Sequence, residues 1–258
     1  MVRYNAHLFA LLAEKLLLEE GVELLYDTKI CGVDVYNGRI NAVIVEHKGG
    51  REAISAKAFV DATGDADICS YAGENTALFG KNALAAWYYY YSKGKFDLLM
   101  QGVLDDPEGG SYSGGIEQTK LYSGLDAKEN TEMLINSHKT ILTDIINKKR
   151  NDPDYFPVTI PTIPQVRMTR RLAGAFELNI TDDHKYFPDS IGLTGNWHKR
   201  GPVYEIPFSC LYGEKIGNLI TAGRCISVTE PMWDITRVIP TCAVTGQAAG
   251  TAASLLET

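Results

Sequence analysis

Two apolar runs that stop at glycine constrain this chain more than any other feature. Leu219-Ile220-Thr221-Ala222 ends at Gly223, and far upstream Ala58-Phe59-Val60 leads into Asp61-Ala62-Thr63-Gly64-Asp65. Each run is short, apolar and bounded, the pattern of a strand buried on both faces. A glycine at the end of such a strand lets backbone come very close to a ligand. The alternative for the upstream segment is an ordinary strand-to-helix turn with an Asp near the helix start.

The downstream run is followed by Thr236-Arg237-Val238-Ile239-Pro240 and then Thr241-Cys242-Ala243-Val244-Thr245-Gly246-Gln247-Ala248-Ala249-Gly250. Proline suits a first helical turn, so a helix starts near Pro240. Its side chains are mostly small, which predicts close packing. Gly246 and Gly250 stand about one turn apart and are expected to form a flat face. One reading is a plain helix-to-sheet contact. The other aims the helix N-terminus at a negative group, where unpaired N–H donors and the dipole favour an anion. Together the segments suit a flat, anionic, tightly held cofactor.

The rest of the chain alternates helix and strand signals. Leu8, Leu11, Leu12, Leu16 and Leu18 form a helical pattern that Gly21 stops. Val22 to Tyr26 then reads as a strand. From Lys29 to Ala62 the pattern is β, with Asn37-Gly38 as a hairpin turn and Gly49-Gly50 as a second. Asp65 to Ala72 reads as a short helix, and Trp87 to Tyr91 as a strand. Asp105 to Gly115 reads as a loop. Ala127 to Lys149 reads as an amphipathic helix. Strand-like stretches follow at Tyr155 to Ile163, Val166 to Phe176 and Val203 to Phe208.

Composition narrows the function. The 258 residues carry a net charge of -7, and the longest basic runs are Lys148-Lys149-Arg150 and Arg170-Arg171. That excludes the clustered positive footprint a nucleic-acid partner needs. No stretch approaches the roughly 20 apolar residues of a membrane span. The five cysteines are scattered, with no CxxC. A disulfide framework, a zinc site and an iron–sulfur site are therefore not expected, and a reducing, cytoplasmic location fits.

Several pieces in fixed order resemble the FAD-dependent oxidoreductase family with a glutathione-reductase-like nucleotide fold. They are Asp61-Ala62-Thr63-Gly64-Asp65, Pro188-Asp189-Ser190-Ile191-Gly192, Gly201-Pro202-Val203-Tyr204-Glu205-Ile206-Pro207, Ala222-Gly223-Arg224-Cys225-Ile226-Ser227 and Arg237-Val238-Ile239-Pro240-Thr241-Cys242. The resemblance implies an α/β chain: an incomplete Rossmann-like FAD-binding domain with an inserted α+β substrate domain. The expected division is 1–77 for the middle of the FAD domain, 78–216 for the insertion and 217–258 for the last strand and helix. It implies FAD as cofactor and a small-molecule substrate that exchanges hydride with flavin N5.

Carried over residue by residue, the resemblance places Ile30 or Cys31 near the adenine and Ala62, Thr63 and Gly64 along the dinucleotide. Gly223 and Arg224 would approach the pyrophosphate or ribityl chain. Arg237 and Val238 would lie by the flavin ring, with the amides near Thr241 and Cys242 facing its N1/O2 edge. Glu230 stands where many members place a histidine, which puts an inherited proton-transfer role in question. No metal site is implied.

Such proteins begin with a strand, Gly-x-Gly-x-x-Gly and a helix, and no such sequence occurs here. The expectation is a fragment or shortened product that binds FAD weakly or not at all by itself. The alternatives are a non-catalytic binding module, or an enzyme completed by a separate chain; a homo-oligomer is also open. Outside the family motifs, Arg170 and Arg171 could hold a substrate anion or form structural ion pairs. His198 could act as a general base or be a loop residue without a role. Cys225 and Cys242 are read as small packing residues near the flavin.

Overall fold

A computed structural model describes residues 5–102 and 120–256. The Asp105 to Gly115 loop expected from sequence lies outside the described residues. Helix α1 (Ala6–Glu19) opens the described chain, capped by the Asn5 side chain, which accepts from the Leu8 N–H at 3.0 Å. It ends as expected at Gly21, whose φ is +72°. The Gly21 N–H reaches the Leu18 carbonyl and the Val22 N–H the Leu17 carbonyl, the paired bonds of a Schellman cap. No residue of α1 is buried.

Val22 to Tyr26 does not form a strand. An apolar run needs a neighbouring strand to pair with, and this one has none among the described residues. Instead the Tyr26 hydroxyl turns back to Glu14 at 2.6 Å.

Strands β1 (Lys29–Tyr36), β2 (Arg39–His47) and β3 (Gly50–Ser55) form an antiparallel meander. Asn37 and Gly38 both have positive φ, as the predicted hairpin requires. Strand β4 (Phe59–Asp61) follows, then α2 (Asp67–Ala72) and β5 (Thr76–Leu78). The aromatic run is β6 (Tyr88–Ser92), paired with β7 (Lys95–Leu99) and, after the long helix α3 (Ala127–Asn151), with β8 (Phe156–Thr159). A local core of Ala86, Tyr88, Ile141 and Tyr155 holds this part together.

Of the expected Val166 to Phe176 stretch, only β9 (Arg170–Leu172) pairs, against β5. Strands β10 (Ser190–Gly195) and β11 (Val203–Pro207) form a hairpin. Strand β12 (Leu219–Thr221) precedes α4 (Glu230–Thr236) and α5 (Ile239–Leu255). No helix among the described residues is long and apolar enough to cross a membrane.

The main core joins Met168, Leu178, Tyr204 and Ile206 to Ile220, Ile226, Trp233 and Ala249. Helix α5 buries Thr241, Thr245 and Ala249, one residue per turn. The expected glycine face is elsewhere: a Cβ on Gly246 or Gly250 would meet nothing within 4 Å. The close approach comes from the strand side, where a Cβ on Gly192 would stand 2.6 Å from Val244.

Candidate functional site

Strands β4 and β12 lie parallel, with Leu219 opposite Phe59, Ile220 opposite Val60 and Thr221 opposite Asp61. The Ala222 N–H extends the ladder to the Asp61 carbonyl at 3.0 Å. Both strands therefore end side by side, and both continue into a glycine turn. Gly64 has φ +83° and Gly223 φ +75°, conformations glycine adopts without steric cost. The carboxyl ends of neighbouring parallel strands are where ligands enter open α/β sheets.

The Asp61 carboxylate, fully buried, shapes the first turn. One oxygen accepts from the Thr63 N–H at 3.1 Å and the Thr63 hydroxyl at 2.7 Å. The other accepts from the Cys69 N–H at 3.0 Å. Arg170 pins the next residues, donating to the Asp65 carbonyl at 2.9 Å and to the Asp67 carboxylate at 2.6 Å. Burial raises the Asp67 pKa, against the pull of Arg170. The Thr169 hydroxyl bonds the Asp65 carboxylate.

The second turn is tied to α5. The Gly223 N–H donates to the Thr245 hydroxyl at 2.9 Å. Arg224 extends across Gly64, donates to the Arg167 carbonyl at 2.6 Å and lies 3.7 Å from the Asp65 carboxylate. Cys225 is buried, its thiol donating to the Asp61 carbonyl at 3.3 Å. Burial pushes that thiol up to about 12, so it is a packing residue rather than a reactive thiolate.

At the start of α5 the Cys242 N–H bonds the Val238 carbonyl at 3.0 Å. The Cys242 amide is thus committed within the helix, and the first-turn donors outside the helical ladder are Ile239 and Thr241. No side chain caps this end and no acidic residue stands in its first turn. Burial raises the Cys242 pKa, opposed by Arg224 and Arg237. Both guanidiniums therefore act on the same corner as the helix N-terminus.

A second cluster adjoins it. Asp234, on α4, is buried and divides its carboxylate: Oδ1 accepts from Arg237 Nε at 2.8 Å and from Nη2, while Oδ2 lies 2.5 Å from His198 Nε2. Trp197 stacks on the His198 ring, 3.7 Å between centroids, and donates its indole N–H to the Asp234 carbonyl at 2.9 Å. The Thr194 and Thr241 hydroxyls meet at 2.7 Å and tie β10 to α5.

The structure thus brings Ala62, Thr63, Gly64, Gly223, Arg224, Arg237, Val238, Thr241 and Cys242 to one end of the strand pair. Ile30 and Cys31 sit apart, on β1 of the meander, where Ile30 pairs with Val45 and a register shift falls at Cys31. Arg170 and Arg171 have partners within the protein: Arg170 as above, and Arg171 on Glu177 at 2.8 Å and against Trp233. Glu230 is paired with Lys81 at 2.7 Å. Asp234 was not among the sequence candidates. Its signal was the Asp-x-x-Arg spacing of Asp234 and Arg237, an ion-pair distance on a helix.

These residues fit a dinucleotide flavin. An uncapped helix end, two adjacent arginines and two close glycine turns offer donors and positive charge to phosphate and to an electron-rich ring edge. A search of the curated proteins returns no match. The family model described as FAD dependent oxidoreductase matches residues 2–85 and 118–257. Most of the chain is covered, and the chain therefore belongs to the FAD dependent oxidoreductase family, with FAD as its cofactor.

Proposed function

We propose that the protein oxidises or reduces a small molecule by hydride transfer to or from flavin N5. In this reading 1–77 and 217–258 are parts of a Rossmann-like FAD-binding domain, and 78–216 is an inserted α+β substrate domain. The observation that carries it is the parallel register of Thr221 with Asp61, which sets the Gly64 and Gly223 turns side by side.

When bound, FAD supplies the two-electron chemistry; the protein supplies binding, orientation and electrostatics. Gly64 and Gly223 let the backbone approach the dinucleotide. Arg224, whose guanidinium is only partly engaged, neutralises phosphate charge. The Ile239 and Thr241 amides and Arg237 would hold the flavin at its electron-rich edge and offer it positive charge.

A FAD titration followed by flavin fluorescence tests this. The expected result is saturable quenching of micromolar or weaker affinity, abolished in Gly223→Val. Unchanged fluorescence at every FAD concentration, both alone and with a supplied strand–Gly-x-Gly-x-x-Gly–helix segment, would overturn it.

The exposed apolar residues of α1 favour a second reading, in which a separate polypeptide segment completes the cofactor site. Leu8, Leu11, Leu12, Leu16 and Leu18 are each at least half exposed. If that reading holds, the supplied segment raises FAD affinity; without it, the segment has no effect.

A further inference from the structure

We propose that His198, oriented by Asp234, is the proton acceptor of the oxidation, and that the substrate carbon carries an O–H or N–H beside the C–H that is broken. The proposal rests on the flavin reading above. It grows from a geometric asymmetry: Asp234 has 3% of its side chain exposed, whereas His198 has 42% of its side chain exposed. A buried carboxylate thus holds an accessible imidazole.

The carboxylate has two claimants. Arg237 takes Oδ1 and balances the buried charge, which leaves Oδ2 for His198 Nε2. A carboxylate accepts only, so the proton between them sits on Nε2. That fixes the tautomer and leaves the Nδ1 lone pair free; no described protein atom hydrogen-bonds Nδ1. The ring cannot swing away, because Trp197 stacks on it and is itself tied to the Asp234 carbonyl. Asn196 accepts from the His198 and Lys199 N–H groups at 2.9 and 3.2 Å and sets the turn that presents the ring.

A base, an orienting acid and a free ring nitrogen are the parts needed for proton removal. Asp234 stands three residues before Arg237, which leads into α5, and it holds His198 at that corner. Oxidation breaks the O–H or N–H bond, and its proton passes to His198 Nδ1. The adjacent C–H bond also breaks, and its hydrogen leaves with the electron pair to the oxidised flavin that the family employs. A C=O or C=N bond forms. The imidazolium that results is stabilised by Asp234; reduction runs the same steps backwards. Asp234 is a positioning residue.

Three measurements on the whole chain test this. Long-range nitrogen NMR, assigned with His198→Gln, should show the Nε2–H tautomer in the wild type; an Nδ1–H ring would overturn the proposal. Diethyl pyrocarbonate modification at alkaline pH, where imidazoles are neutral, mapped by mass spectrometry, should slow at His198 by about threefold or more in Asp234→Asn, with His47 and His184 unchanged. A bridge of purely structural role predicts the reverse, since breaking it frees Nε2; equal or faster modification overturns the proposal. Should Asp234→Asn unfold, the wild-type tautomer decides. Saturating FAD should protect His198 alone. If FAD binds and His198 reacts as before, the placement at the flavin is wrong. If FAD does not bind even with the supplied strand–Gly-x-Gly-x-x-Gly–helix segment, the flavin reading fails instead, and the first two results still decide the dyad.

Discussion

Arg224 occupies the space that a side chain on Gly64 would need. A Cβ built on Gly64 would stand 2.4 Å from Nη2 and 2.9 Å from Cζ of Arg224. The turn and the cation are thus fitted to one another, although they come from strands more than 150 positions apart in the chain.

Gly64→Ala should therefore cost stability through two routes. The left-handed backbone costs an alanine about 1–2 kcal/mol, and Arg224 must move. The expected outcome is a Tm lower by about 2–4 °C per kcal/mol. In an Arg224→Ala background the penalty should shrink by about 0.5 kcal/mol or more, as expected for neighbours in contact. Additive effects in calorimetry would show that the two residues are not coupled.

Asn218 is 2% exposed, and its side chain ties β2 to the turn that leads into β4. Its Oδ1 accepts from the Ile40 N–H at 2.8 Å, and its Nδ2 donates to the carbonyls of Ile40 at 2.9 Å and Lys57 at 3.2 Å. Asn218→Ala strands the two buried backbone groups of Ile40 and leaves the partly buried Lys57 carbonyl to water, so a loss of about 2–4 kcal/mol is expected. Urea unfolding should show a lower midpoint at constant m. A midpoint within error of wild type would mean that water replaces the amide without cost.

Burial holds the Asp67 carboxyl above the usual aspartate range, despite Arg170. The folded protein therefore binds this proton more tightly than the unfolded chain does. Stability from this group is fully present below the unfolded pKa and is lost as pH rises through the raised folded pKa. Asp67→Asn should remove that dependence. Urea midpoints across the acid range should show the wild type gaining relative to the variant as pH falls. A gap that is flat or slopes the other way would contradict the assignment.

Helix α1 and the core should respond differently to truncation. Leu11 and Leu12 are half or more exposed, whereas Leu178 and Ile226 are 0% exposed. Leu11→Ala and Leu12→Ala should each change monomer stability by less than about 0.5 kcal/mol. Leu178→Ala and Ile226→Ala should each cost about 2–5 kcal/mol. Comparable losses at both sites in denaturant titrations would mean that α1 is packed in solution.

Elements that depend on near neighbours were readable from the residues. The Asn37-Gly38 hairpin, the Gly21 stop and α3 each follow from local chemistry, and the two glycine-ended strands follow from length and apolarity. Val22 to Tyr26 failed because strand formation requires a partner, and periodicity does not report whether one is present. The glycines of α5 misled for a related reason: smallness signals room for contact, not which element makes it. At the site, the family motifs marked both turns and the helix start. The ties that fix them join Arg170 to Asp67 and His198 to Asp234, over separations of 103 and 36 residues. A one-dimensional pattern carries no trace of such pairs.

The ladder between β4 and β12 has only three paired positions. A slide of one residue would carry one glycine about 3.3 Å past the other and turn every side chain of that strand to the opposite face. So short a ladder resists slippage poorly by itself. Asn218 fastens it at the foot, and the Cys225 thiol on the Asp61 carbonyl fastens it at the head. Alignment of the two turns is thus governed by fasteners beyond the rungs, and changes at those ends will misalign the pocket while leaving the strands themselves intact.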